Sequence, residues 1–178
     1  MSNPVLNRLK PESKRKPFDC GDNDLNDFFQ NDSRDHAKQL LTVTYAFESQ
    51  NETIAYFSVL NDNIRESDTT RKEFKKISKK IPHQKRYKSH PAVKIGRFAV
   101  SRDYQGQGNG TMLMDYIKGL FIKNNKTGCR FITVDAYNAA IKFYQKNGFD
   151  FLTTEDKDEN RRQMYFDLYP LSRVIGID

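Results

Sequence analysis

The chain has little from which to build a covalent or metal-held framework. Its only two cysteines, Cys20 and Cys129, stand far apart in 178 residues. Neither has a partner cluster, which excludes a disulfide scaffold and a zinc site of the usual spacing. His36, His83 and His90 are equally scattered, so no metal is expected and each histidine reads as a surface or core residue. No apolar run approaches the roughly 20 residues that a membrane-crossing helix needs. The Asn- and Lys-bearing N-terminus has no signal-peptide core. Two free thiols then point to a reducing cytoplasm.

What is present suits one compact domain over residues 1–178. Its basicity is local. From Arg65 to Lys94 eleven Lys and Arg face Glu66, Asp68 and Glu73, a balance of +8, and with +7 overall the rest of the chain carries −1. This segment reads as a helix-loop insertion over residues 65–92. Thr69 to Lys80 is predicted helical, with Phe74, Ile77 and Ile81 on a narrow apolar stripe. Arg71, Lys72, Lys75, Lys76, Lys79 and Lys80 cover most of the remainder. Pro82 stops the helix, and His83 to Pro91 reads as a loop carrying Lys85 and Arg86. Such a surface is either a solvated cationic helix that helps capture an anionic cofactor, or a platform for a polyanion such as RNA. Tyr87 among these cations is a candidate for stacking on a base, or simply packs.

The second motif is Gln105-Gly106-Gln107-Gly108-Asn109-Gly110. A strand-like run, Val93 to Val100, precedes it, and Leu113, Met114, Ile117, Leu120 and Phe121 follow at helical spacing. Glycines at alternate positions remove every second Cβ, so backbone N–H groups can crowd against an anion at a helix N-terminus. No Gly-Lys-Ser/Thr follows, and the order is not Gly-x-Gly-x-x-Gly, so neither a Walker loop nor a dinucleotide fingerprint is present. Further on, the strand-like Phe131 to Asp135 leads into Asn138 to Phe149. There Ala140, Phe143 and Tyr144 share a helical face, and Gly148 suits a left-handed cap.

Gln-x-x-Gly-x-Gly followed by strand, Asn138, a small-residue helix, Phe143-Tyr144 and Asn147-Gly148-Phe149 resembles the GNAT acetyltransferase superfamily, over residues 93 to 151. The resemblance implies an α+β fold: a mixed, mostly antiparallel sheet flanked by helices, with a V-shaped split between central strands. It implies acetyl-CoA as donor, its pyrophosphate on residues 105–110 and its pantetheine along Phe98, Ala99 and Val100 and near Asn138. Tyr144 would lie by the sulfur as general acid. With the Asn138-to-Phe149 pattern read alone, Tyr144 is better taken as a core aromatic of an amphipathic helix.

Phe18-Asp19-Cys20-Gly21 before Leu25-Asn26-Asp27-Phe28-Phe29, with Gly96-Arg97-Phe98-Ala99-Val100 after a basic insertion, looks like the toxin branch of that superfamily. Its members acetylate the α-amino group of aminoacyl-tRNA and are held inactive by a ribbon-helix-helix antitoxin. Locally, Asp22 reads as an N-cap to a short helix with Leu25, Phe28 and Phe29 inward. Ala37 and Leu40 suggest a second helix, and Thr42 to Phe47 with Thr53 to Leu60 a hairpin. Leu6 to Pro11 reads as an opening strand, and Asp150 to Glu159 as a solvated loop before a strand from Gln163 to Leu168. Tyr169-Pro170 is expected to close that strand, leaving a loose tail or a homodimer contact.

No general base announces itself, and Asp135 and an ordered water stand as the two candidates. An α-amine has a reference pKa near 7.7–8.0 against about 10.4 for lysine. An ester substituent lowers it further, so an aminoacyl ester needs less help than a protein lysine. Three readings stand: an acetyltransferase acting on aminoacyl-tRNA, one acting on a small amine or protein terminus, and a non-catalytic module that binds CoA or nucleic acid.

Overall fold

Alternation builds the first strands. In the computed structural model, which describes residues 3–79, 81–83, 87–123, 125, 127–154 and 160–176, β1 (Val5–Arg8), β2 (Val43–Glu48) and β3 (Thr53–Arg65) pair antiparallel. Along β2 the buried residues are Thr44, Ala46 and Glu48, the two-residue period of a strand with one face on a core. β3 is buried on both faces from Thr53 to Val59, as its unbroken Ile54-Ala55-Tyr56-Phe57 requires, and it runs five residues past the expected end. With β4 (Ser89–Val100), β5 (Phe131–Tyr137), β6 (Asp150–Phe151) and β7 (Arg161–Asp167), these strands form one sheet in the order β1-β2-β3-β4-β5-β7-β6. The β5–β7 and β6–β7 pairs are also antiparallel. The expected α+β architecture is found. The chain divides into two compact units, residues 1–60 with 95–116 and residues 61–94 with 117–178.

The first unit packs its N-terminal helices on β3. Asp22 caps α1 (Asn23–Asp27) by accepting the Leu25 N–H at 3.1 Å. A π-helical turn, Phe28–Asp32, joins α1 to α2 (Ser33–Lys38) and buries both Phe28 and Phe29. Their rings and that of Phe18 gather on Tyr56, with centroids 6.4, 4.7 and 5.2 Å away. The Tyr56 hydroxyl donates to the Leu25 carbonyl at 2.7 Å, and burial pushes its pKa up. Thus Phe18 and the Leu25-to-Phe29 pattern are core residues of this unit. Leu40 is a correction: it follows α2 rather than belonging to it, with φ at 59° and 91% exposed.

In the second unit α3 (Arg71–Ser78) starts two residues later than expected. Thr70 and Glu73 make a reciprocal capping box, which satisfies two orphan N–H groups. Phe74 and Ile77 are buried with Ile64, Ala92, Phe131 and Leu152, and Ile81 packs against them. Lys80, Lys85 and Arg86 lie outside the described residues. Ser89 to Pro91 are strand rather than loop, and His90 is core: its ring stacks on Phe74 at 5.0 Å, and its Nε2 lies 2.7 Å from the Ser78 Oγ. Tyr169-Pro170 opens a helix instead of closing a strand. Asp167 caps α6 (Leu168–Val174) by accepting the Tyr169 N–H at 3.0 Å. Pro170 is tolerated because first-turn N–H groups have no intrahelical acceptor anyway. Of the expected acidic loop, Asp150 and Phe151 form β6, and 155–159 lie outside the described residues. Among the described residues no helix is long and apolar enough to cross a membrane, and no cluster of His, Cys, Asp and Glu suits a metal.

The seat of α3 is acid-labile. Desolvation, with help from Arg130, lowers the His90 pKa from its ordinary 6.5. Hydrogen bonds from the Thr70 backbone and side chain, then from Thr154, hold Glu73 down at about 2 against an ordinary 4.5. Both groups bind more protons unfolded than folded, so each contributes stability that is lost as pH falls. For His90 the loss begins below 6.5, and for Glu73 it runs from 4.5 toward 2. Amide-exchange protection factors in α3 are therefore expected to drop in two stages on acidification, and His90→Phe should remove the first. A single stage near 4 in both proteins would contradict this.

Candidate functional site

The glycine loop lies in the first unit, and side-chain amides hold it from below. Gln105 Nε2 donates to the carbonyls of Cys20 (3.1 Å) and Val100 (2.9 Å). Gln107 Nε2 donates to the Asp103 carbonyl at 2.7 Å and Asn109 Nδ2 to the Tyr104 carbonyl at 2.9 Å. The N-terminal Phe18-Asp19-Cys20-Gly21 turn is part of the same support. The Asp19 carbonyl accepts the Arg102 N–H at 2.9 Å, and Gly21, at φ 90°, leaves room for the Arg102 guanidinium, which a Cβ would meet at 2.7 Å. Two motifs eighty residues apart in sequence are thus one assembly. Each was visible separately, but their contact was not.

With its amides turned inward, the loop leaves its backbone donors free. α4 (Asn109–Lys123) begins in the loop, and Met112 N–H reaches the Gly108 carbonyl at 3.0 Å. Among the described residues the N–H groups of Gly106 through Thr111 have no partner. Gly106 and Gly108 have φ of 73° and 85°, and a Cβ on either would meet nothing within 4 Å. Open space over unpaired N–H groups, at the positive end of a 15-residue helix, fits a diphosphate. An alanine at either glycine costs about 1–2 kcal/mol of left-handed backbone strain, roughly 2–8 °C in Tm at this size. Gly108→Ala should in addition weaken acetyl-CoA binding by roughly tenfold, since its methyl group enters the cradle. Calorimetric Kd beside Tm checks this: lost stability with unchanged Kd would make the glycine purely conformational.

Of the strand residues, Ala99 is buried while Phe98 and Val100 are half-buried. Beside them Arg97 lies 4.9 Å over the Phe28 ring, with its Nη2 3.9 Å from Asp24.

Tyr144 and Asn138 belong to the second unit. Asn138 is exposed on a 3-10 turn after β5, and its N–H donates to the Asn160 carbonyl at 3.2 Å. Tyr144 sits on α5 (Ile141–Lys146), which ends in a Schellman motif. The Phe149 N–H returns to the Tyr144 carbonyl at 3.0 Å and the Gly148 N–H to the Gln145 carbonyl at 2.9 Å, with Gly148 left-handed at φ 82°. The tyrosine ring is gripped edge-on by Phe143 and Phe149, both centroids 5.3 Å away. It is 6% exposed, and desolvation raises its pKa, keeping the phenol protonated. Asp135, the candidate base, is held by Lys94 in a 2.6 Å ion pair.

The basic helix divides its charge between two cavities. Arg71, Lys72 and Lys75 line one of about 790 Å³ with Phe74, Ser78, Tyr87, Lys88 and Glu66. Lys76 and Lys79 line another of about 440 Å³, floored by Phe131, Tyr165, Phe166 and Pro170. Among the described residues none of these five cations, four on α3 and Lys79 at its C-cap, makes an ion pair. Tyr87 is 52% exposed at the rim of the first cavity.

In sequence, residues 75–150 match the acetyltransferase (GNAT) domain family. The matched stretch includes the glycine loop, α4, β5 and Tyr144. No curated protein matches the chain in sequence. Among solved structures, AtaT complexed with acetyl-methionyl-tRNAfMet superposes with TM-score 0.79 and 22% identity, covering 97% of this chain and 99% of that one. A tyrosine-to-phenylalanine variant of the AtaT toxin, bound to the C-terminus of the antitoxin AtaR and acetyl-CoA, gives 0.75 and 18% over 98% and 99%. A tyrosine-to-phenylalanine variant of KacT gives 0.77 and 21% over 97% and 99%. At these identities the likeness establishes the GNAT-like fold.

Proposed function

We propose that this protein transfers the acetyl group of acetyl-CoA to the α-amino group of an aminoacyl-tRNA, as one domain spanning residues 1–178 with 65–92 as a basic insertion. The observation that carries the reading is the glycine loop, whose N–H groups from Gly106 to Thr111 are unpaired under open space. Bound there, acetyl-CoA supplies an activated thioester. Residues 105–110 hold its pyrophosphate, and the backbone of Phe98, Ala99 and Val100, with Asn138, orients the pantetheine. A backbone N–H of the strand from Phe98 to Val100 polarises the acetyl carbonyl. As the amine nitrogen bonds to the acetyl carbon and the carbon–sulfur bond breaks, Tyr144 gives its phenolic proton to sulfur. The proton released by the amine passes to water, and Tyr144 is reprotonated from solvent.

The acceptor reading rests on the cations Arg71, Lys72, Lys75 and Lys88 around one groove with exposed Tyr87, a pattern suited to a nucleic-acid backbone and a base. The AtaT complex with acetyl-methionyl-tRNAfMet supports it by analogy of fold. Such an activity belongs in the cytoplasm, under control of a ribbon-helix-helix antitoxin. The acceptor is tested by thiol release from acetyl-CoA with charged tRNA, spermidine and N-terminal peptides side by side. Charged tRNA should be fastest by at least about tenfold, the penalty expected where an acceptor lacks the phosphate contacts. A faster polyamine or peptide would move the reading to a small amine or protein terminus.

A further inference from the structure

Among the described residues Lys118 is the only buried lysine, at 8% exposure. On α4 it falls four residues after Met114 and four before Ile122, both buried, so its stem lies along the helix's apolar stripe. An ammonium in such a place is unfavourable unless its charge is met. Its Nζ donates to the Asn147 carbonyl at 2.9 Å and lies 4.6 Å from the Phe166 ring centroid. Asn147 is the residue that ends α5, and its N–H reaches the Tyr144 carbonyl at 3.0 Å. A cation there meets a helix-terminal carbonyl and the negative end of the helix.

Phe166 closes the arrangement from the other side. It packs on Phe149 at 5.6 Å, and a Cβ at Gly148 would come within 3.1 Å of it. One ammonium therefore braces Asn147 directly and Phe149 through Phe166, and these flank the motif that fixes the carbonyl and ring of Tyr144. We propose that Lys118 is a positioning residue for Tyr144, setting the phenol where it meets the departing sulfur. The proposal rests on the reading of Tyr144 as proton donor.

A double-mutant cycle tests it, using thiol release with the fastest acceptor of the panel above. Lys118→Met is expected to lower kcat roughly three- to tenfold while KM for acetyl-CoA moves less than about twofold. In a Tyr144→Phe background the same change should cost almost nothing, because coupled residues are non-additive. Equal loss in both backgrounds, or a parallel rise in KM, would overturn the proposal and leave Tyr144's own role intact. An unaffected kcat in Tyr144→Phe itself would instead remove the proton-donor reading, and the proposal with it. Lys118→Gln, which keeps an amide donor, replaces Met if that variant does not fold. Tyr144 ring order, read by NMR of carbon-labelled tyrosine, gives an acceptor-independent answer: its signal should broaden in either variant, and an unchanged line would overturn the proposal.

Discussion

Replacing Tyr144 by phenylalanine will slow acetyl transfer by at least about tenfold, within reach of the 10²–10⁴-fold that a positioned proton donor contributes, and will leave acetyl-CoA affinity nearly unchanged. Both halves of this expectation come from the tyrosine's surroundings. A phenol is protonated at neutral pH and burial raises its pKa further, so the hydroxyl carries the proton that a departing thiolate needs. The side chain's packing is all ring: Phe143 and Phe149 grip it edge-on, and the Schellman motif binds its backbone rather than its hydroxyl. Deleting one oxygen therefore removes the proposed acid and keeps the ring packing and the backbone motif. Single-turnover transfer beside calorimetric Kd separates the outcomes. Equal loss in both would make the hydroxyl a binding group, and loss in neither would remove it from the chemistry.

Reversing Arg71, Lys72 and Lys75 to glutamate is expected to abolish acetylation of charged tRNA at physiological salt. These cations line one groove and have no ion-pair partner among the described residues, so their charge is available to phosphates. Each lost phosphate contact lowers the slope of log affinity against log salt by about 0.7–0.9, so the triple variant should flatten it by roughly 2–3 units. Reversing Lys76 and Lys79 makes a matched control, because they border the other cavity, floored by Phe131, Tyr165 and Phe166. That pair should cost far less. If the triple reversal leaves the salt slope untouched, the groove is not where tRNA binds.

How much of this was legible beforehand follows from the kind of signal each residue gives. Glycines at 106 and 108 and the Asn147-Gly148 stop are local backbone statements, and the structure places them at the left-handed loop and helix cap that their sequence context predicts. The α3 stripe of Phe74 and Ile77 was readable for the same reason. Long-range polar commitments were not. Nothing near Gln105 says that its amide reaches Cys20, and nothing near Glu73 says that it also accepts from Thr154. Lys118 did carry a signal, a lysine placed i+4 from Met114 on an otherwise apolar stripe, but only its acceptor in space gives that oddity a meaning. Pro170 misled because a proline read without its N-cap looks like a stop, whereas Asp167 makes it a first-turn residue. The division of the α3 cations between two cavities depends on what β7 and Tyr87 present to them, which periodicity does not contain.

The central claim is acetyl transfer from a thioester held at the glycine loop, and following the acetyl group tests it most directly. Purified protein is incubated with radiolabelled acetyl-CoA and charged tRNA, beside Gly108→Ala at a donor concentration below its weakened Kd. The account predicts label on the α-amine of the aminoacyl group with wild type, and roughly tenfold less with the variant, matching its loss of affinity. Label that stays on CoA in wild type, or transfer that Gly108→Ala leaves undiminished, would contradict it.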